Sequence, residues 1–371
     1  MQNIDMGAVA AQVLWAAFGL SLLFGAIAQR THFCTMGAVA DIVNIGDWSR
    51  MRMWALAIGV AMLGFNAMVA LGWVDAGKSI YAAPRLTWLS AIVGGAMFGF
   101  GMVLASGCGS KTLVRIGGGN LKSVVVFVVL GVAAFATIKG ITGVARTASV
   151  DRVAVELAGG QDLPTLAARA FGLAKAQAAL ALGALFGGGL VAWALARREG
   201  RSGDVLLGGA GIGAVVAAMW WVSGRLGYVA EDPNTLQEAF VATNSQRMES
   251  LSFVAPVAYT LDWLLFFSDK SKLLTLGIAS TVGVVIGSAL WALGSRSFRW
   301  EGFANAEDTG NHLVGATLMG IGGVTALGCT VGQGLSGVST LAVGSFIALA
   351  SIIGGAVLAL RYQIWRIERM A

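Results

Sequence analysis

Apolar runs long enough to cross a bilayer recur along this chain, and no other feature limits its fold as strongly. A hydrocarbon core about 30 Å thick takes roughly 20 mostly apolar residues per helix. Runs meeting or approaching that length lie at 7–28, 54–74, 86–107, 121–138, 172–196, 205–223, 273–294, 313–329 and 338–360. Charged residues make up only 12% of the 371, against 57% hydrophobic. So few charges cannot cover a water-facing surface of this size. The 53 glycines suit helices that approach closely in lipid, where small residues let backbones meet. The expected fold is therefore an all-α polytopic membrane protein with about nine transmembrane helices.

Shorter pieces accompany these spans. The stretch 251–267 carries Pro256 and Asp262 and reads as re-entrant or interfacial. Residues 29–53 are too polar to span but hold a helical apolar pattern in their middle. The periodicity within 139–171 suits an amphipathic surface helix. The N-terminus has no Lys or Arg before its first apolar run, so it reads as a first transmembrane helix and not as a cleaved signal peptide. Arg50, Arg52, Arg197, Arg198, Arg201, Arg361, Arg366 and Arg369 cluster at segment ends on what would be the cytoplasmic side. Glu231, Asp232, Glu238 and Glu249 make 224–250 acid-leaning. Nine crossings, with the N-terminus external and the C-terminus cytoplasmic, satisfy both biases if 251–267 does not cross. The net charge of +6 is scattered in the same way, which argues against nucleic-acid binding.

A repeat is visible at an offset of 221 residues. Val93–Cys108 aligns without a gap with Val314–Cys329, matching Gly94, Gly99, Gly101, Gly107 and Cys108 with Gly315, Gly320, Gly322, Gly328 and Cys329. In the nine-crossing topology these copies run in opposite senses, so the repeat is inverted and pseudo-twofold. Inverted repeats place a substrate site near the bilayer midplane. The chain then reads as one integral membrane domain over 1–371, with halves roughly 7–138 and 273–360 and a connecting region 139–272. A weaker echo pairs Phe33-Cys34 with Phe303-Ala304.

Chemistry is expected where the repeats end. Cys108 lies between Gly107 and Gly109, and Cys329 follows Gly328, so each helix can be interrupted and restarted at its thiol. Thr31 is placed to cap a half-helix whose first turn holds Cys34. Exposed N–H groups at such helix starts favour an anion. Arg30, His32, Lys111 and Gln333 stand nearby as secondary contacts. A single cysteine in a membrane helix is most often filler; two at equivalent ends of a repeat weaken that reading. Three is an odd number of cysteines, and their place inside or beside apolar segments argues against a disulfide framework; they lack paired spacing for a metal, and no Gly-Lys-Ser/Thr loop suggests a nucleotide. No cofactor is expected.

These residues carry a resemblance. Gln29–Cys34, Gly107–Gly109 and the run from Phe298 to Gln333 resemble the YeeE/YedE family of bacterial inner-membrane sulfur transporters, whose characterised members take up thiosulfate. The resemblance implies full-length and half-length helices in inverted repeats, with Cys34, Cys108 and Cys329 along a narrow central path. It implies a permease importing thiosulfate or another sulfur or selenium species, and not an enzyme. Two other classes stay open: a membrane-embedded sulfurtransferase forming a cysteine persulfide, and a membrane subunit serving a small cytoplasmic sulfur-carrier or sulfurtransferase protein.

Overall fold

A computed structural model describes residues 5–233 and 235–370. Its order is α1 (Met6–Thr31), α2 (Thr35–Ile45), α3 (Ser49–Ala70), β1 (Arg85–Leu86), α4 (Trp88–Leu104), α5 (Gly109–Gly117), α6 (Leu121–Lys139), α7 (Ile141–Ala148), β2 (Val155–Glu156) and α8 (Leu163–Phe171). There follow α9 (Lys175–Leu195), α10 (Gly203–Leu226), β3 (Tyr228–Val229), β4 (Ala239–Phe240), α11 (Ala255–Leu265), α12 (Leu276–Gly294), α13 (Ala306–Thr325), α14 (330–339) and α15 (Val343–Met370). The chain is an all-α polytopic membrane protein. Among the described residues, eight helical stretches are long and apolar enough to cross a bilayer. Helix α13 makes a ninth of comparable length, its first turn carrying Glu307 and Asp308. The first residues, 1–4, on which the reading of the N-terminus partly rests, lie outside the described residues.

Local chemistry sets the boundaries. Asp5 accepts hydrogen bonds from the N–H groups of Gly7 and Ala8 and starts α1. Asn120 and Asn305 do the same for α6 and α13. Such caps satisfy donors that have no partner within the helix. Helix α13 begins seven residues before the apolar run 313–329, because its polar first turns are packed: His312 is buried and Asp308 pairs with Lys122 at 3.0 Å. The stretch 251–267 yields only the 11-residue α11, about 16 Å long at 1.5 Å per residue, too short to cross. The amphipathic helix expected over 139–171 is instead broken into α7, β2 and α8. Gly159 and Gly160 adopt φ of 89° and 128°, and Asp162 with Pro164 starts a new helix.

Pairings outside the helices sort the loops into two ends. Arg85 faces Glu156 in β1–β2, Ser79 bridges Met248 and Asp162 bridges Ala342, gathering 71–87, 140–174, 227–254 and 326–342 at one end. Asn120 bridges Glu301, and the Arg299 N–H donates to the Gly118 carbonyl, setting 105–120 and 295–305 at the other.

Helices α4 and α13 cross antiparallel at the centre through four glycines. A Cβ on Gly94 would lie 2.7 Å from the Gly322 carbonyl oxygen, and one on Gly322 would lie 2.6 Å from that of Gly94. Gly101 and Gly315 stand in the same mutual relation, at 2.6 Å each way. Real Cβ atoms do not approach so closely, so only glycine permits this crossing. The offset of 221 turns the first glycine pair into the second.

Candidate functional site

All three cysteines occupy one backbone device. A long helix ends in a non-glycine residue of left-handed conformation, and the thiol follows two residues later at the start of a short helix. The left-handed residues are His32 (φ 53°), Ser106 (φ 55°) and Leu327 (φ 59°). Cys34 then caps α2 in extended conformation (φ −160°, ψ 124°) and Cys108 caps α5 (φ −81°, ψ 178°). Cys329 precedes α14, where its carbonyl accepts the Gln333 N–H at 2.7 Å. A left-handed non-glycine residue is uncommon; three of them in register with three thiols make a repeated design feature.

The thiols are interior. Cys34, Cys108 and Cys329 are 7%, 1% and 0% exposed. The Cys34 sulfur accepts the Gly37 N–H at 3.4 Å and the Cys329 sulfur accepts that of Gly332 at 3.3 Å. The Cys108 sulfur lies 3.3 Å from the Ser110 hydroxyl. Cys34 and Cys108 stand within electrostatic reach of each other, as do Cys108 and Cys329. Lys111 reaches both Cys34 and Cys108, and Arg115 reaches Cys34. The groups therefore run in order from Cys329 through Cys108 to Cys34, with Lys111 and Arg115 beside the last two.

The remaining expected residues divide. His32 is exposed at the left-handed turn, within reach of Lys111 and Arg50. Gly107 sits under the Lys111 side chain, and a Cβ on Gly109 would meet the Phe253 carbonyl at 3.0 Å. Gly328 has φ 157°. Gln333 is buried, its amide donating to the Ala326 carbonyl at 2.5 Å and tying α14 to the end of α13. Arg30 turns elsewhere: it pairs with Asp204 at 3.8 Å and lies over the Trp291 ring at 5.3 Å. Sequence reasoning read Arg50 only as a cytoplasmic segment-end charge and passed over Arg115. Arg115 follows Lys111 by four residues, which puts both on one face of α5, a signal that was available.

At the other end a cavity of about 250 Å³ opens against the Cys329 turn, lined by Tyr81, Arg146, Glu249, Tyr259, Leu327 and Gly328 among others. Burial pushes the Glu249 carboxyl above the usual carboxylate range, opposed by hydrogen bonds from Ser245 and Asn244. Among the described residues, no three His, Cys, Asp or Glu side chains gather as metal ligands would.

Comparison with known proteins finds relatives along nearly the whole chain. The chain is similar to the thiosulfate transporter TsuA of Escherichia coli K12, at 26% identity over 340 residues, 90% of each chain. It is similar to the thiosulfate transporter TsuA of Spirochaeta thermophila, at 27% over 354 residues, 92% of this chain and 97% of the relative. A shorter match of 103 residues, at 30% identity, links it to a probable transporter, YedE, of Salmonella typhimurium, covering 26% of this chain and 23% of that one. Residues 30–358, containing all three cysteines, match the family described as sulphur transport, and the chain belongs to that family.

Proposed function

We propose that this protein is a permease that carries thiosulfate into the cytoplasm across the bacterial inner membrane. The observation that supports this reading most directly is the order of buried thiols: Cys329 beside an open cavity, Cys108 in the interior, and Cys34 next to Lys111 and Arg115. Taking a dianion out of water is prohibitive unless its charge is met. Three helix starts offer N–H groups and partial positive charge along the path. The thiols provide soft, weakly hydrated contacts for the terminal sulfur, passing it by successive S–H···S interactions. Weak binding at several sites lets the ion leave as readily as it enters. No covalent step is needed, so the protein acts as a transporter and not as a sulfurtransferase. A small cytoplasmic sulfur-carrier or sulfurtransferase protein would take the ion beyond Cys34.

The same reading makes the molecule two inverted copies. Helices α1 to α6 correspond in order to α10 to α15, with 140–201 connecting them, so the second copy begins well before residue 273. By this pairing α11 is the counterpart of α2, and Phe253-Val254 echoes Phe33-Cys34, in place of Phe303-Ala304. Val254 then stands where the fourth thiol would be. The end holding the cavity is external, as is the N-terminus, and the C-terminus is cytoplasmic.

The test is uptake of labelled thiosulfate into proteoliposomes containing this chain alone, followed by intact-mass analysis. Saturable uptake with unmodified protein is expected. No uptake, or a mass gain of one sulfur on Cys108 that turnover requires, would overturn the permease reading.

A further inference from the structure

Among the described residues, three hydrogen-bond donors stand buried and unpartnered beside the thiol path. They are the hydroxyls of Thr35 and Thr330, each peptide-bonded to a path cysteine, and the indole N–H of Trp54. Their residues are 3%, 0% and 3% exposed. Buried polar groups nearly always have partners, and each exception calls for a reason. Most hydroxyls in these helices resolve the problem by donating to the carbonyl four residues back, as Thr112, Thr281 and Thr325 do. Thr35 and Thr330 are first residues of their helices, where the chain four residues back belongs to the preceding turn. Trp54 ties them together spatially. Its ring stacks on Phe33, next to Cys34, with centroids 4.7 Å apart and planes 23° from parallel. Its far edge is 3.5 Å from where a Cβ of Gly334 would stand, in the helix that Cys329 begins. At Cys108 the residue in that position is Gly109, and the nearby Ser110 hydroxyl is engaged with the thiol itself.

Resting on the thiosulfate reading above, we infer that Thr35, Thr330 and Trp54 donate to the oxygens of the ion's sulfonate end while the thiols face its terminal sulfur. Thiols alone are weak donors and leave three charged oxygens to be desolvated. A hydroxyl or indole N–H bonded to a charged oxygen is a strong contact that forms only when the ion is present. The path then recognises both ends of an ion that has one sulfur end and one oxygen end.

Thr35→Val and Thr330→Val remove the donors with little change of shape, whereas Trp54→Phe removes the indole N–H together with part of a buried ring. In proteoliposomes each variant should raise the KM for thiosulfate about tenfold, in keeping with the loss of a hydrogen bond to a charged group. Thermal unfolding of the two valine variants should be unchanged or shifted slightly upward, because an unsatisfied group has been removed, while Trp54→Phe should melt lower because it leaves a cavity. Thr330→Ser, which restores the hydroxyl, should return KM to the wild-type value. Wild-type uptake with unchanged KM in all three variants would overturn this inference and leave the permease reading intact. So would a fall in melting temperature with kcat lost and KM unchanged, which marks a purely structural hydroxyl. Absence of uptake by the wild-type protein would instead defeat the permease reading itself.

Discussion

Cys108 is the residue on which transport should depend most, since it alone stands within reach of both other thiols. Cys108→Ala leaves a small cavity that costs about 1 kcal/mol, so the variant should fold, reach the membrane and fail to take up thiosulfate. Cys34→Ala and Cys329→Ala should impair uptake. Normal uptake by Cys108→Ala, measured with labelled substrate at matched membrane abundance, would return that thiol to packing. Glu249 gives a pH test. Its burial favours the neutral form, and the groups facing the same cavity are Tyr81, Tyr259 and Arg146. As external pH rises through the carboxyl's elevated value, a negative charge appears where a dianion must enter, so uptake should fall. Glu249→Gln removes the titration and should flatten that part of the profile; an unchanged profile would exclude this group. The three cysteines were legible in the sequence because they are rare, and Cys108 and Cys329 also because they sit beside glycines at equivalent ends of the repeat. Thr35, Thr330 and Trp54 were not, since an unpartnered donor is a property of packing and leaves no mark in the chain.

At the level of elements, the glycine crossing of α4 and α13 makes a sharp prediction. Gly94→Ala and Gly101→Ala would drive a methyl into a facing backbone carbonyl, at 2.7 and 2.6 Å respectively. Each should lower thermal stability by several degrees, as overpacking of about 1–3 kcal/mol implies. Gly354→Ala on α15 meets open space and should be neutral or slightly stabilising, by no more than about 1 kcal/mol of helix propensity. Equal effects at all three positions in a detergent melting assay would contradict the packing described. Most spans were readable from apolarity, because lipid forces length and composition together. The ends were less so. Helix α13 starts in polar residues satisfied by tertiary contacts. Helix α15 continues past the apolar run to Met370, with Arg366 paired to Glu307 at 3.0 Å. The broken region 139–171 kept a helical period although its turns sit at Gly159, Gly160 and Pro164.

For the whole molecule, nine crossings require the two ends to lie on opposite sides. A reporter fused after Ala371, itself outside the described residues, should read cytoplasmic, and one inserted near Glu238 should read external. A C-terminal reporter on the external side would contradict the orientation. The central claim, that buried thiols select the ion by its sulfur, is tested by competition. Sulfate matches thiosulfate in charge and nearly in shape, so Lys111, Arg115 and the helix starts would attract both alike. Only a site that disfavours a strongly hydrated oxygen in place of sulfur tells them apart. The decisive measurement is thiosulfate uptake into proteoliposomes under excess sulfate, for wild type and Cys108→Ser. The account predicts weak competition and loss of transport by the serine variant, whose hydroxyl is a harder, more hydrated contact. Equal competition by sulfate, or normal transport by Cys108→Ser, would contradict it.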